Sequence, residues 1–189
     1  MIVSYKKNFA FFHNPRTGGT SIRAVLAPYA DVDQRISAPH YMPATVRDII
    51  GLEQFKCLYK FSIVRNPWEK LVSNYHYARG NPEHYEFDIM QGMSFSEFVI
   101  YFVEKRAKTQ HQFLSGEDGE LLVDYVGRFE SLREDFSHVC QVIGISPVLR
   151  HLNSVEHGKY ESYYNSDTRA LVERYFQKDI ALWGYSYRS

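Results

Sequence analysis

The chain has 189 residues, 44% of them hydrophobic and 16% aromatic, and its 22 basic and 22 acidic side chains cancel to a formal net charge of zero. This length suits one domain over residues 1–189, and the apolar content is enough to fold, which excludes a disordered chain. Charge balance excludes a generally basic nucleic-acid surface and makes any anion site local.

Cys57 and Cys140 are the two cysteines, and their spacing is not that of metal ligands, so a reducing compartment fits better than a disulfide framework. The start, MIVSYKKNFAFF, has no charged region followed by an apolar stretch and a cleavage site. No apolar run approaches a membrane span, and the sequence reads as a cytoplasmic protein with no integral membrane segment.

Phe9 to His13 reads as a buried strand, followed by Asn14-Pro15-Arg16-Thr17-Gly18-Gly19-Thr20-Ser21 and a helix with Ile22, Val25 and Leu26 on its apolar stripe. Thr20 or Ser21 is expected to cap that helix. Asp31 to Pro43 looks irregular, and PATVRDII then begins a helix with Pro43 in its first turn. Cys57 to Val64 reads as a second buried strand, ending at Arg65-Asn66-Pro67. Trp68, Leu71, Val72 and Tyr75 then fall at helical spacing. Arg79 to Gly92 is expected to be a surface loop. Ser94 and Glu97 form a capping box for a helix carrying Phe98, Val99 and Phe102. A third strand is expected at Leu121 to Val126. Ser131 and Glu134 then cap a helix with Leu132, Phe136, Val139 and Ile143 on one face, and a last helix runs from Ser166 to Lys178. Strands alternating with helices predict a three-layer α/β domain, P-loop-like, with a mainly parallel central sheet flanked by helices. Such sheets bind ligands beyond the carboxyl ends of their strands.

The first strand–loop–helix has the layout of an anion cradle. Gly18 and Gly19 permit close backbone approach, the helix start adds its positive end, Thr17, Thr20 and Ser21 bring hydroxyls, and Arg16 brings a permanent charge. A plain capped turn is the simpler reading of Gly-Gly-Thr-Ser. The triphosphate loop motif Gly-x-x-x-x-Gly-Lys-Ser/Thr is not written here. In the second strand–loop–helix, Arg65 at a strand tip and Ser73 on the adjoining helix, off the apolar stripe, could grip a second phosphate. The simpler reading there is a surface arginine paired with Glu69.

Together, HNPRTGGTS and FSIVRNPWEKLVSNY resemble the 5′-phosphosulfate and 3′-phosphate motifs of the sulfotransferases that use 3′-phosphoadenosine 5′-phosphosulfate (PAPS). The similarity is closest to the carbohydrate-type branch. It extends to YVGRFESLREDFSHVCQVIGI and to the C-terminal segment from His151, and is weakest over Arg79 to Lys108, the stretch expected to shape the acceptor pocket. The resemblance implies PAPS as co-substrate without a metal, and a carbohydrate or small-molecule acceptor. It also implies Arg16, Thr17, Gly18, Gly19, Thr20 and Ser21 as the 5′ set and Arg65 with Ser73 as the 3′ set. Many members carry lysine where Arg16 stands. Arginine keeps the charge but gives up no proton at ordinary pH, so Arg16 is assigned electrostatic stabilisation.

An acceptor hydroxyl needs a base near neutrality. His40 is chosen, because related members resemble this sequence in placing a histidine between the first helix and the next strand. His13 reads as structural or supporting; His111 with Gln112, and Glu53, are further candidates. Lys159 and Tyr160, preceded by His151, Asn153 and His157, could close over the 3′-phosphate and adenine, or be half-buried packing. Arg128 could add a phosphate contact or pair with Glu130 or Glu134. The competing functions are an ATP-dependent P-loop kinase and a catalytically silent nucleotide-binding scaffold.

Overall fold

The computed structural model describes residues 1–36, 38–146 and 158–188. In chain order the strands are β1 (Ile2–Ser4), β2 (Phe9–Phe12), β3 (Tyr59–Val64) and β4 (Tyr125–Arg128). The helices are α1 (Gly19–Leu26), α2 (Pro43–Ile50), α3 (Leu52–Lys56), α4 (Pro67–Gly80), α5 (Phe87–Gln91), α6 (Phe95–Glu104), α7 (Gln110–Leu114), α8 (Leu132–Ile143), α9 (Ser166–Tyr175) and α10 (Gln177–Trp183). The described residues group into two compact units, one of residues 1–64 and 110–146 and one of residues 65–109 and 158–188.

The first unit holds a mixed sheet in the order β1-β2-β3-β4, with β1 antiparallel to β2 and the other two pairings parallel. Strand alternation divides its side chains between two faces. Phe9, Phe11, Phe61 and Ile63 pack with Ile22 and Leu26 of α1 and with Phe136, Val139, Cys140 and Ile143 of α8. The alternate residues Phe12 and Lys60 meet Phe55 of α3, Phe12 at 6.4 Å between ring centroids and the Lys60 ammonium 5.2 Å above the ring. Helices therefore lie on both faces of this sheet, as the α/β reading requires.

β4 begins later than expected. Asp124 is occupied at its entrance: its carboxylate accepts the Lys60 N–H at 2.7 Å and pairs with the Lys60 ammonium at 2.7 Å. Leu121 forms only an isolated bridge with Ser115. The short β1, too close to the chain start to show a period, was not anticipated, and Asn8 turns it into β2 with φ of 53°.

In the second unit, Trp68, Leu71, Val72 and Tyr75 of α4 are buried with Phe95, Phe98 and Val99 of α6 and Val172 and Phe176 near α9. The Asn66 side chain caps α4 by accepting from the Trp68 and Glu69 N–H groups. The Ser94/Glu97 capping box is present. The expected loop over Arg79 to Gly92 is instead the end of α4 followed by α5. The expected last helix is two helices broken at Phe176, whose ring is buried.

α8 starts after Ser131, but no side chain caps it. The Ser131 hydroxyl instead donates to Asp135 at 2.8 Å, beside the Tyr125 hydroxyl at 2.7 Å and the Arg128 N–H at 2.6 Å. One carboxylate thus joins β4 to the first turns of α8. Asp135→Ala strips the acceptor from three donors and is expected to cost about 3 kcal/mol or more, since each bond to a charged group contributes roughly 1.5–3 kcal/mol. Urea denaturation measures this as a lower midpoint at unchanged slope; a loss under about 1 kcal/mol would mean that packing alone holds the junction.

Candidate active site

In the first unit, β2 runs out at Phe12 and the chain turns tightly. Asn14 N–H donates to the Phe12 carbonyl at 3.1 Å, and the Thr17 hydroxyl donates to the Asn14 carbonyl at 2.7 Å. The buried Asn14 amide reaches the Gln110 side-chain oxygen at 3.1 Å and the Ile63 carbonyl at 3.4 Å, tying the turn to β3 and α7. Sequence reasoning passed over Asn14 and Gln110, because a lone polar residue in a turn or at a helix start gives no sign that it will be buried.

Arg16 has φ of 64° and Gly18 has φ of 76°. Left-handed residues on either side of Thr17 give the kind of backbone from which anion-binding concavities are made. For a non-glycine residue such as Arg16 this conformation costs on the order of 1–3 kcal/mol and is typical of functional loops. The helix cap is Gly18, not Thr20 or Ser21, and no side chain caps α1, whose positive end is left to its backbone N–H groups. Of the three hydroxyl residues, Thr17 and Ser21 are buried and Thr20 is exposed. Thr17 commits its hydroxyl proton to the turn.

The two glycines are there for different reasons. At Gly18 a Cβ would sit 2.8 Å from Leu132 Cδ2, on a backbone that disfavours side chains in any case. At Gly19 it would run into the His13 ring. His13 is buried, stacks on Phe11 and lies beside His40. Burial first, then the neighbouring His40 and the cations Arg23 and Arg16, pull its pKa down to about 3. His40 Nδ1 lies 3.0 Å from the His13 carbonyl oxygen. A carbonyl only accepts, so Nδ1 carries the proton and Nε2 holds the lone pair. Partial burial lowers the His40 pKa, against the opposing effect of this hydrogen bond, with Arg23 adding to the lowering.

Among the other candidates of this unit, Arg128 ends β4 in register with Val64, and its N–H is held by Asp135. His111 is buried with Nε2 3.1 Å from the Ser115 hydroxyl, while Gln112 is exposed. Glu53 pairs with Lys56 at 3.0 Å on the surface.

In the second unit, Arg65 is buried and its Nη2 donates to Glu69 Oε1 at 3.0 Å, one helical turn away. Ser73 is 3% exposed, so it belongs with the buried positions of α4 although it lies off the stripe. Lys70, which the sequence reading did not single out, has its pKa lowered to about 8 by burial, with Asp179 raising it and Arg65 lowering it. Lys159 and Tyr160 line a cavity of about 400 Å³ together with Glu69, Gly158 and Glu161. The Tyr160 hydroxyl donates to the Tyr187 carbonyl and its ring meets Tyr187 edge-on, so this tyrosine is engaged in packing. Burial, followed by Glu161 and Glu69, pushes its pKa up to about 12. His151, Asn153 and His157 lie outside the described residues.

The chain is 22% identical over 245 aligned residues to carbohydrate sulfotransferase 10 of Xenopus laevis, covering 98% of this chain and 67% of that one. It is 33% identical over 106 residues to an uncharacterized protein of Archaeoglobus fulgidus, covering 55% of this chain and 83% of the relative. The fold matches the crystal structure of a mouse sulfotransferase complexed with PAP, with a TM-score of 0.58 and 11% identity over 94% of this chain and 85% of the other. Residues 1–186 match the Sulfotransferase family, and the chain belongs to it.

Proposed function

We infer that the protein transfers a sulfuryl group from PAPS to a hydroxyl or amine of a carbohydrate or small-molecule acceptor. The observation that carries this reading is family membership over residues 1–186. It is supported by a loop with left-handed Arg16 and Gly18 leading into a helix that no side chain caps. The name of the Xenopus relative favours a carbohydrate acceptor, and PAP in the mouse structure favours PAPS as donor. Two unpaired cysteines, one exposed and one buried, support a reducing, cytoplasmic setting. No described helix is long and apolar enough to cross a membrane.

In this reading the 5′-phosphosulfate sits against the backbone of Thr17 to Ser21 with Arg16 beside it, and Arg65 and Ser73 take the 3′-phosphate. Arg128 and Lys159 are further nucleotide contacts, while Tyr160, its hydroxyl held by Tyr187, contributes only as a wall of the cavity it shares with Lys159. The acceptor oxygen attacks sulfur while the bond from sulfur to the bridging oxygen of the 5′-phosphate breaks. Adenosine 3′,5′-bisphosphate leaves with the electron pair. Negative charge grows on that oxygen, and the fixed cation Arg16 acts mainly on the transition state. The acceptor proton passes to Nε2 of His40, the nitrogen left with a lone pair.

Arg65→Ala is expected to weaken binding of adenosine 3′,5′-bisphosphate by roughly 10- to 100-fold, the 1.4 to 2.8 kcal/mol of one charge-assisted contact. Adenosine 5′-monophosphate should lose far less, and equal losses by calorimetry would remove Arg65 from the 3′-phosphate.

His40→Ala should abolish turnover and spare nucleotide binding. As a base, His40 works when neutral, so kcat is full above its pKa and falls as pH drops through it. Because that pKa is lowered, the acid limb of kcat is expected below about 6.5, the ordinary histidine value. An active His40→Ala protein with an unchanged limb would hand the role of base to another group.

A further inference from the structure

A methyl group on Gly19 would lie 1.8 Å from His13 Cδ2 and 2.1 Å from Nε2, so the imidazole fills the space that the glycine leaves. His13 is 7% exposed as a residue, and its ring is 6.0 Å from Phe11 at an interplanar angle of 19° and 4.5 Å from the His40 ring. His13 Nδ1 is buried and makes no hydrogen bond among the described residues. An unsatisfied buried nitrogen is unfavourable, and a phenyl ring stacked on Phe11 would fill the core without it.

We propose that His13 is the positioning residue of the site: its ring fixes the backbone of Gly19 at the start of α1, and its carbonyl fixes the tautomer of His40. The inference rests on the sulfotransferase reading of Gly19 and His40 given above. Anion binding and proton removal are then coupled through a single residue. The ring can do this only while uncharged, and the groups facing it, His40, Arg23, Arg16 and the amino terminus, all disfavour a cation there.

Imidazole ¹H–¹⁵N spectra of the full chain, with calorimetry and pH profiles of the wild type and His13→Ala, test the role. In the wild type, His40 is expected as the Nδ1–H tautomer and His13 is expected to stay neutral down to about pH 5, well above its lowered pKa. His13→Ala should weaken binding of adenosine 3′,5′-bisphosphate by about tenfold or more, the scale of a supporting residue. It should also move the acid limb of kcat up toward about 6.5, as His40 loses its cover. Gly19→Ala should bind better in the His13→Ala background than alone. A His40 found as the Nε2–H tautomer overturns the proposal, and so does a folded His13→Ala protein with wild-type affinity and pH profile. If His13→Ala does not fold, the His40 tautomer of the wild type still tests the role of the carbonyl, and a Gly19→Ala protein with wild-type affinity would overturn the role of the ring. A wild-type protein that takes up no adenosine 3′,5′-bisphosphate overturns the nucleotide reading itself, an outcome separate from the tautomer of His40.

Discussion

Because Gly19 has no Cβ, the His13 ring can occupy the space above the first residue of α1, and the turn from β2 into the helix can close. Several features of the first unit's candidate site gather around that contact. The ring reaches this place because β2 alternation sends Phe11 and His13 to the same face, where Phe11 supplies a stacking partner. With the ring so placed, the His13 carbonyl accepts from His40 and sets which of its nitrogens bears the proton. The two left-handed residues and the Thr17 hydroxyl then shape the intervening turn without adding a side-chain cap to the helix. Sheet, loop and base candidate are linked by contacts of a few ångströms, so small changes at residues 13 or 19 would reach both the loop and His40.

The neutral total charge sets a second constraint. A chain with equal numbers of acids and bases cannot draw in an anion by its overall field. Attraction has to come from backbone N–H groups and from single cations in fixed places. Backbone donors suit this, because they cost no side-chain entropy to hold and cannot be titrated away. The left-handed conformation of Arg16 is consistent with a loop shaped for such donors at some cost in stability.

Much of the fold was legible because its signals are local. The spacing of Trp68, Leu71, Val72 and Tyr75, the Ser94/Glu97 box and the apolar run before Arg65 each depend on neighbours within one turn or one strand, and each appears in the structure. The errors arose where tertiary partners decide. Asp124 belongs to Lys60, which delays β4, and Ser131 belongs to Asp135, which empties an expected cap. Phe176 is drawn into the second unit's core, which breaks a helix that the period alone would continue. For the candidate site, the residue types and their loops could be read, but the division of labour within Gly-Gly could not. Nothing in the sequence says that Gly18 answers to Leu132 and Gly19 to His13, residues 114 and 6 positions away.

The second unit shows why a cation named from sequence is only half a description. Arg65 is paired with Glu69, and Lys105 with the buried Glu86. Lys70 is influenced by Asp179, yet burial still brings its pKa down to about 8. Each positive charge is thus offset close by, as burial of ions demands. A phosphate dianion arriving at Arg65 would meet a guanidinium whose charge is already balanced by Glu69 in the first turn of the following helix. Charge alone would give it little preference over other anions. On the proposed reading, selectivity for a 3′-phosphate would come from geometry, through the buried Arg65 guanidinium and the buried Ser73. On that reading, balanced charge and buried donors would favour an anion of fitting shape over anions in general.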